Sequence, residues 1–140
     1  MMKKLFSNTS LLMICGVLGA LAVILGAFGA HGLKNVLPAD KLTTYSTGVT
    51  YHFFHVLALL GSILLNSYQK SIWLKRAALF FITGILFFSG SLYLLSTREI
   101  IGLTTYRWLG PITPIGGVFF ILGWLSISMS VLQRNDKKAA

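Results

Sequence analysis

LLMICGVLGALAVILGAFGA, residues 11–30, is a run of twenty residues without a charged side chain. A bilayer core of about 30 Å needs about 20 apolar helical residues, so this stretch is long enough to cross one. Lys3 and Lys4 precede it and resemble the n-region of a secretory signal. A signal h-region, however, runs only about 7–15 residues, and three further apolar blocks follow this one. The stretch reads as a retained membrane helix. Working outward from it, charge is also missing from residues 52–69, 77–97 and 108–133. The expected fold is an all-α membrane protein, a four-transmembrane-helix bundle forming one membrane domain over residues 1–140. Its helices are expected at about residues 10–31, 49–68, 76–96 and 111–133.

Composition agrees with that reading. Hydrophobic residues make up 55% of the chain and charged residues 11%, against roughly a quarter charged in soluble domains. Twelve Lys+Arg against three Asp+Glu give a net charge of +9. A nucleic-acid binder would gather those cations on one face, whereas here they lie between apolar blocks, so no nucleic-acid partner is expected. Lys3, Lys4, Lys70, Lys75, Arg76, Arg134, Lys137 and Lys138 fall on one side of the membrane, and Lys34, Lys41, Arg98 and Arg107 on the other. The positive-inside rule then predicts N-in, C-in. Cys15 is the single cysteine, which excludes an intramolecular disulfide and a cysteine-based zinc cluster.

The second helix is the uneven one. Only residues 53–65 are strongly apolar, so a full crossing must begin near Val49 and draws Tyr51, His52 and His55 into the membrane. Upstream, Pro38 and Asp40 are helix-start signals. Leu42, Tyr45, Val49 and Phe53 recur at helical spacing. An amphipathic stretch over about residues 38–50 is expected, lying on the outer surface or running into the second helix, with Gly48 as a point of bending. Pro111 and Pro114 are placed in or just before the first turn of the fourth helix, where proline is tolerated.

Lipid tails are as apolar as leucine, so membrane helices associate through close packing at small residues. Cys15, Gly19, Ala22, Gly26 and Gly29 form such a seam on the first helix, at alternating spacings of four and three. Ala77, Gly84 and Ser91 on the third helix, and Gly116, Gly123 and Ser130 on the fourth, recur every seven residues. A seven-residue repeat predicts a left-handed bundle, and the small seam suggests that the first helix is central.

Candidate chemistry is sparse. Asp40, Glu99 and Asp136 all lie between or beyond the apolar blocks, so the intramembrane carboxylates of pumps are missing, and paired-carboxylate catalysis with them. His55 falls near the midplane, about 16 Å from Asn66 at 1.5 Å per residue, and is expected to be neutral and hydrogen-bonded to Ser89 or Ser91. A metal or haem site from His52, His55 and His31 is the sharper alternative, although the depths of the three are poorly matched. Residues 26–32 are glycine-rich but close a membrane helix and lack the lysine of a phosphate loop.

Several stretches together resemble a known family. GAFGAHGL at residues 26–33 is similar to the signature of the domain of unknown function 423 group of small membrane proteins. Tyr51 with His55 ahead of LALL at 57–60, FSGSLY at 88–93, GPITPIGG at 110–117 and Gly123 with Trp124 fit the same pattern in order over nearly the whole chain. His52 departs from it. The resemblance implies a four-helix protein of the bacterial cytoplasmic (inner) membrane and supplies no activity, substrate or cofactor. The glycine-histidine motif, the start of the second helix, the end of the third and the proline-glycine motif all map to the outer half, making His31, Tyr51, His55, Ser89, Ser91 and Thr113 the candidate functional layer. The leading expectation is a non-enzymatic bundle, without catalytic residue, metal or cofactor, whose outer polar layer holds helices, a lipid headgroup or a partner's helix. Its partners would be membrane lipid, a second copy of the chain or another membrane protein. The alternatives are a small transporter or channel subunit acting as an oligomer, and a histidine-based metal or haem protein.

Overall fold

Ser7 starts the first helix by accepting a hydrogen bond at Oγ from the Ser10 N–H at 3.1 Å, a side-chain cap that satisfies a donor the helix leaves open. The coordinates are those of a computed structural model, which describes residues 7–102 and 109–139, with side chains to residue 133. Four helices among the described residues are long and apolar enough to cross a membrane. α1 spans Asn8–Leu33, α2 Ala39–Gln69, α3 Ile72–Thr97 and α4 Leu109–Ala139. α1 ends in a π-helical turn, Gly29–Leu33, and α3 contains another, Ile85–Ser89. The two wide turns fall on or against the glycine-histidine and FSGSLY motifs. Such turns insert a residue into the helical repeat and re-aim the side chains beyond them.

The stretch 38–50 is no separate surface element. Pro38 precedes a helix that runs unbroken to Gln69, and Gly48 lies within it, packed under Tyr93 and Leu92 of α3. At 31 residues α2 is about 46 Å long, which overruns a hydrocarbon core of about 30 Å. Thr43, Thr44 and Thr47 return their hydroxyls to carbonyls four residues back, so the polar first turns stay helical. α3 begins at Ile72 and not near residue 76, because Ser71 caps it through its Oγ and the Trp73 N–H at 3.2 Å. α4 is already helical at Leu109, which places Pro114 inside the helix. There proline removes a backbone donor and leaves the Gly110 carbonyl without its helical partner.

Each helix packs chiefly on its sequence neighbour, α1 on α2, α2 on α3 and α3 on α4, and α2 meets α4 only marginally. The expectation of a central α1 is overturned: α1 is the least buried span, and α2 and α3 hold the middle. Small residues set how closely two helices approach, and they do so here for one partner alone. Gly19 faces Val56, Gly26 faces Val49 and Gly29 lies beneath the Tyr45 ring, an antiparallel register in which Ala22 is fully buried. Between α3 and α4 the fit is reciprocal. The Phe120 ring sits on Gly84 and the Phe81 ring on Gly123, while Gly116 lies against the Phe88 backbone.

Candidate functional site: an aromatic groove between α2 and α4

The buried stripe of α2 includes Tyr45, Gly48, His52, His55, Leu59, Ser62 and Asn66. Its spacing alternates between three and four, a heptad seam, and its members are largely polar or small. Because the backbones of α2 and α4 stay apart and only side chains bridge them, a groove of about 1120 Å³ opens between them, lined by residues from Tyr51 to Leu65 on α2 and from Pro114 to Ile127 on α4, with Phe88 from α3. Its floor is aromatic. The His55 ring stacks on Phe120 with centroids 3.4 Å apart and Tyr51 stacks on Phe88 at 4.6 Å, while the fully buried Phe81 supports Trp124 from behind, their centroids 5.5 Å apart.

His55 is 6% exposed, and both of its nitrogens are engaged. Nδ1 lies 2.7 Å from the Tyr51 carbonyl oxygen, and Trp124 Nε1–H donates to Nε2 at 3.4 Å. A carbonyl can only accept and an indole N–H can only donate. The two partners together therefore define the neutral Nδ1–H tautomer. The expected bond to Ser89 or Ser91 is not made: the π turn re-aims both serines. Ser91 instead donates to the Phe88 carbonyl at 2.9 Å and lies 2.7 Å from the Thr113 hydroxyl of α4. Ser89 is wholly buried, its Oγ without a hydrogen-bond partner.

His52 turns away from His55. Its Nδ1 lies 3.2 Å from the Tyr93 hydroxyl, while its buried Nε2 has no hydrogen-bond partner. Tyr93 in turn stands 5.0 Å from Tyr45 between ring centroids, and Tyr45 donates to the Leu25 carbonyl at 3.0 Å. His31 sits exposed on the π turn of α1. Among the described residues no three His, Cys, Asp or Glu side chains come together in a way that could hold a metal ion.

The structure thus brings Tyr51, His55, Ser91 and Thr113 into one neighbourhood around Phe88; Ser89, next to Phe88 in the chain, bonds none of them, and His31 is exposed on the π turn of α1. Sequence reasoning missed Phe88 and Phe120 as the groove's aromatic floor, and Tyr93 as the partner of His52. Aromatic residues in an apolar span look the same whether they face lipid or a neighbour, so no periodicity marks them. The seam spacing of His52 and His55 within Tyr45, Gly48, Leu59, Ser62 and Asn66 was the available signal.

The family model described as "Protein of unknown function (DUF423)" matches residues 25–117. The chain is 46% identical over 121 residues to UPF0382 membrane protein SSP2132 of Staphylococcus saprophyticus, covering 86% of this chain and 95% of that protein. It is 42% identical over 122 residues to UPF0382 membrane protein YwdK of Bacillus subtilis, with 86% and 94% covered. It is 35% identical over 127 residues to UPF0382 inner membrane protein YgdD of Escherichia coli K12, with 91% and 92% covered. No solved structure matches the chain.

Proposed function

The chain belongs to the DUF423 family, and from that premise we propose that it is a non-enzymatic lipid-binding bundle whose groove between α2 and α4 takes an apolar chain from the bilayer. It is an integral, multi-pass protein of the bacterial inner membrane. The observation that carries the reading is the groove itself, long, open and almost wholly apolar, in which His55 and Trp124 are bonded to each other and Tyr51 adds a hydroxyl. An acyl chain laid there gains dispersion contacts along aromatic and aliphatic walls and asks for no hydrogen bond. A charged solute would lose its hydration and find nothing to replace it, which weighs against a transport pathway. Both His55 nitrogens being taken weighs in the same way against an axial ligand. The orientation that accompanies this reading is N-in, C-in, since it places eight of the twelve Lys and Arg residues on the cytoplasmic side.

Gly61 supplies the test, because it lines the groove and a Cβ built on it would meet only open space. Gly61→Phe should fill the groove without a clash. In native mass spectra of protein released from nanodiscs, the variant is expected to carry one bound phospholipid fewer than the wild type, at an unchanged melting temperature. Equal lipid retention by the two proteins would reject the groove as the binding place. Loss of a dimer mass in the variant would assign the groove to a second copy of the chain instead.

A further inference from the structure

At the end of the bundle where α1 starts and α2 turns into α3, the molecule has a second concavity of opposite character. It has a volume of about 550 Å³ and is lined by Asn8, Asn66, Ser67, Lys70, Ser71, Ile72 and Lys75. Lys70 and Lys75 bring two cations to it, both exposed. The acidic side chains the structure describes, Asp40 at the start of α2 and Glu99 after α3, belong to the opposite end of the bundle. Ile72, the first residue of α3, also lines the cavity. The partial positive charge of that helix N-terminus therefore adds to the lysines.

The decisive atom is Asn66 Oδ1. Asn66 is 4% exposed, and this oxygen has no hydrogen-bond partner. Its orientation follows from the chain of bonds around it. Ser67 spends its single hydroxyl proton on the Ile63 carbonyl at 3.2 Å, so Asn8 must present its Nδ2 to Ser67 Oγ, at 3.0 Å. Asn8 then has only its Oδ1 left for Asn66, which must offer Nδ2, at 2.8 Å. Turning either amide over would set oxygen against oxygen or nitrogen against nitrogen. The network thus leaves one buried acceptor unfilled on Asn66, a residue that lines the basic cavity. A buried polar atom of that kind costs free energy until a donor reaches it.

A lone anion would suit the lysines and leave Asn66 unsatisfied. A ligand that joins a phosphate to a hydroxyl or ammonium donor suits both. We propose that this cavity binds the headgroup of a phospholipid, with Lys70, Lys75 and the first turn of α3 holding the phosphate and Asn66 Oδ1 accepting from a glycerol hydroxyl or an ethanolamine ammonium. A soluble phosphodiester shares that chemistry, but the cavity lies at the end of apolar helices, where acyl chains can lie along the spans while the headgroup stays at their polar ends. The site is separate from the α2–α4 groove and does not rest on it.

The test uses the full chain in mild detergent, titrated with phospholipids of matched acyl chains and read by native mass spectrometry. Phosphatidylethanolamine and phosphatidylcholine share a phosphate and a net charge and differ in the headgroup donor. The former is expected to bind about tenfold tighter, the scale of one charge-assisted hydrogen bond. Phosphatidylglycerol should bind at least as tightly as phosphatidylethanolamine. Lys70→Gln with Lys75→Gln, both at exposed positions, should weaken phosphatidylglycerol about tenfold or more and leave the ethanolamine-over-choline preference in place. Equal affinity for the ethanolamine and choline lipids would overturn the role of Asn66, and undiminished phosphatidylglycerol binding by the double variant would overturn the site. Displacement of the lipid by millimolar glycerol phosphate would assign the cavity to a soluble ligand and overturn the lipid assignment.

Discussion

At Lys70 the backbone takes φ 42° and ψ 61°, the left-handed conformation in which an L side chain crowds its own carbonyl. The strain has a local use. It ends α2, lets the Lys70 N–H close on the Asn66 carbonyl at 3.1 Å, and reverses the chain within Lys70 and Ser71. Glycine adopts this conformation freely, so Lys70→Gly should raise the stability of the bundle by roughly 0.5–1 kcal/mol after its greater unfolded-state freedom is allowed for. Thermal unfolding in detergent reads this directly. A lower melting temperature would mean that the lysine side chain contributes more to the fold than its backbone costs. His55 shows the same economy at the groove. One residue, two partners of fixed hydrogen-bonding sense and a stacked ring leave it neutral and satisfied, so its burial among apolar helices needs no counter-ion.

Between elements, the contact of α3 with α4 is set by glycines that admit a neighbour. A Cβ on Gly116 would stand 2.7 Å from Phe88 Cα, which is backbone and cannot swing aside. Gly116→Ala should therefore push the two helices apart and cost roughly 1–3 kcal/mol, the usual range for overpacking. Gly61→Ala, where a Cβ meets nothing within 4 Å, should be neutral or stabilising through helix propensity. Melting temperatures of the two variants side by side check this. Similar values would mean that the helices do not approach at Gly116. The nearby Ser91–Thr113 bond and the Pro114 position fall on the same interface, where a polar contact and a freed Gly110 carbonyl lie close to the groove.

For the molecule as a whole, polarity is turned inward. The exposed faces carry Leu, Ile, Val and Phe, while Ser62, Asn66, His52, His55, Ser89, Ser126 and Ser130 are buried. In a bilayer that arrangement is the favourable one, because only the interior can offer hydrogen-bond partners. The helices follow one another in space, with α1 at the periphery on α2 and the groove on the other flank between α2 and α4. Paired cysteines test this arrangement. In a Cys15→Ser background, Gly19→Cys with Val56→Cys should cross-link α1 to α2 efficiently. Gly19→Cys with Leu122→Cys, at an exposed position of α4, should not, since α1 and α4 are not neighbours. Cross-linking of the second pair at the rate of the first would establish a closed ring of helices.

Much of this was legible in the residues and some of it was not. The number of crossings, their approximate limits and the family resemblance follow from the sequence by itself, because the length and charge-free character of a membrane helix are set by the thickness of the bilayer. The small residues Gly29, Gly84, Gly116 and Gly123 could be read as contact points, since without a Cβ they admit the closest approach. Tertiary structure alone decided which helix each of them meets, that α1 is peripheral, that His55 bonds Tyr51 and Trp124 in place of Ser89 or Ser91, and that α2 and α4 part to leave a groove. The physical reason is shared by all of these. In a soluble helix the apolar stripe points at the core, but in lipid both the core and the surroundings accept apolar side chains, so hydrophobicity marks the span and not its inward face. That face is marked on α2 by the polar and small residues of its heptad seam, and their partners lie on other helices, at positions no local pattern specifies.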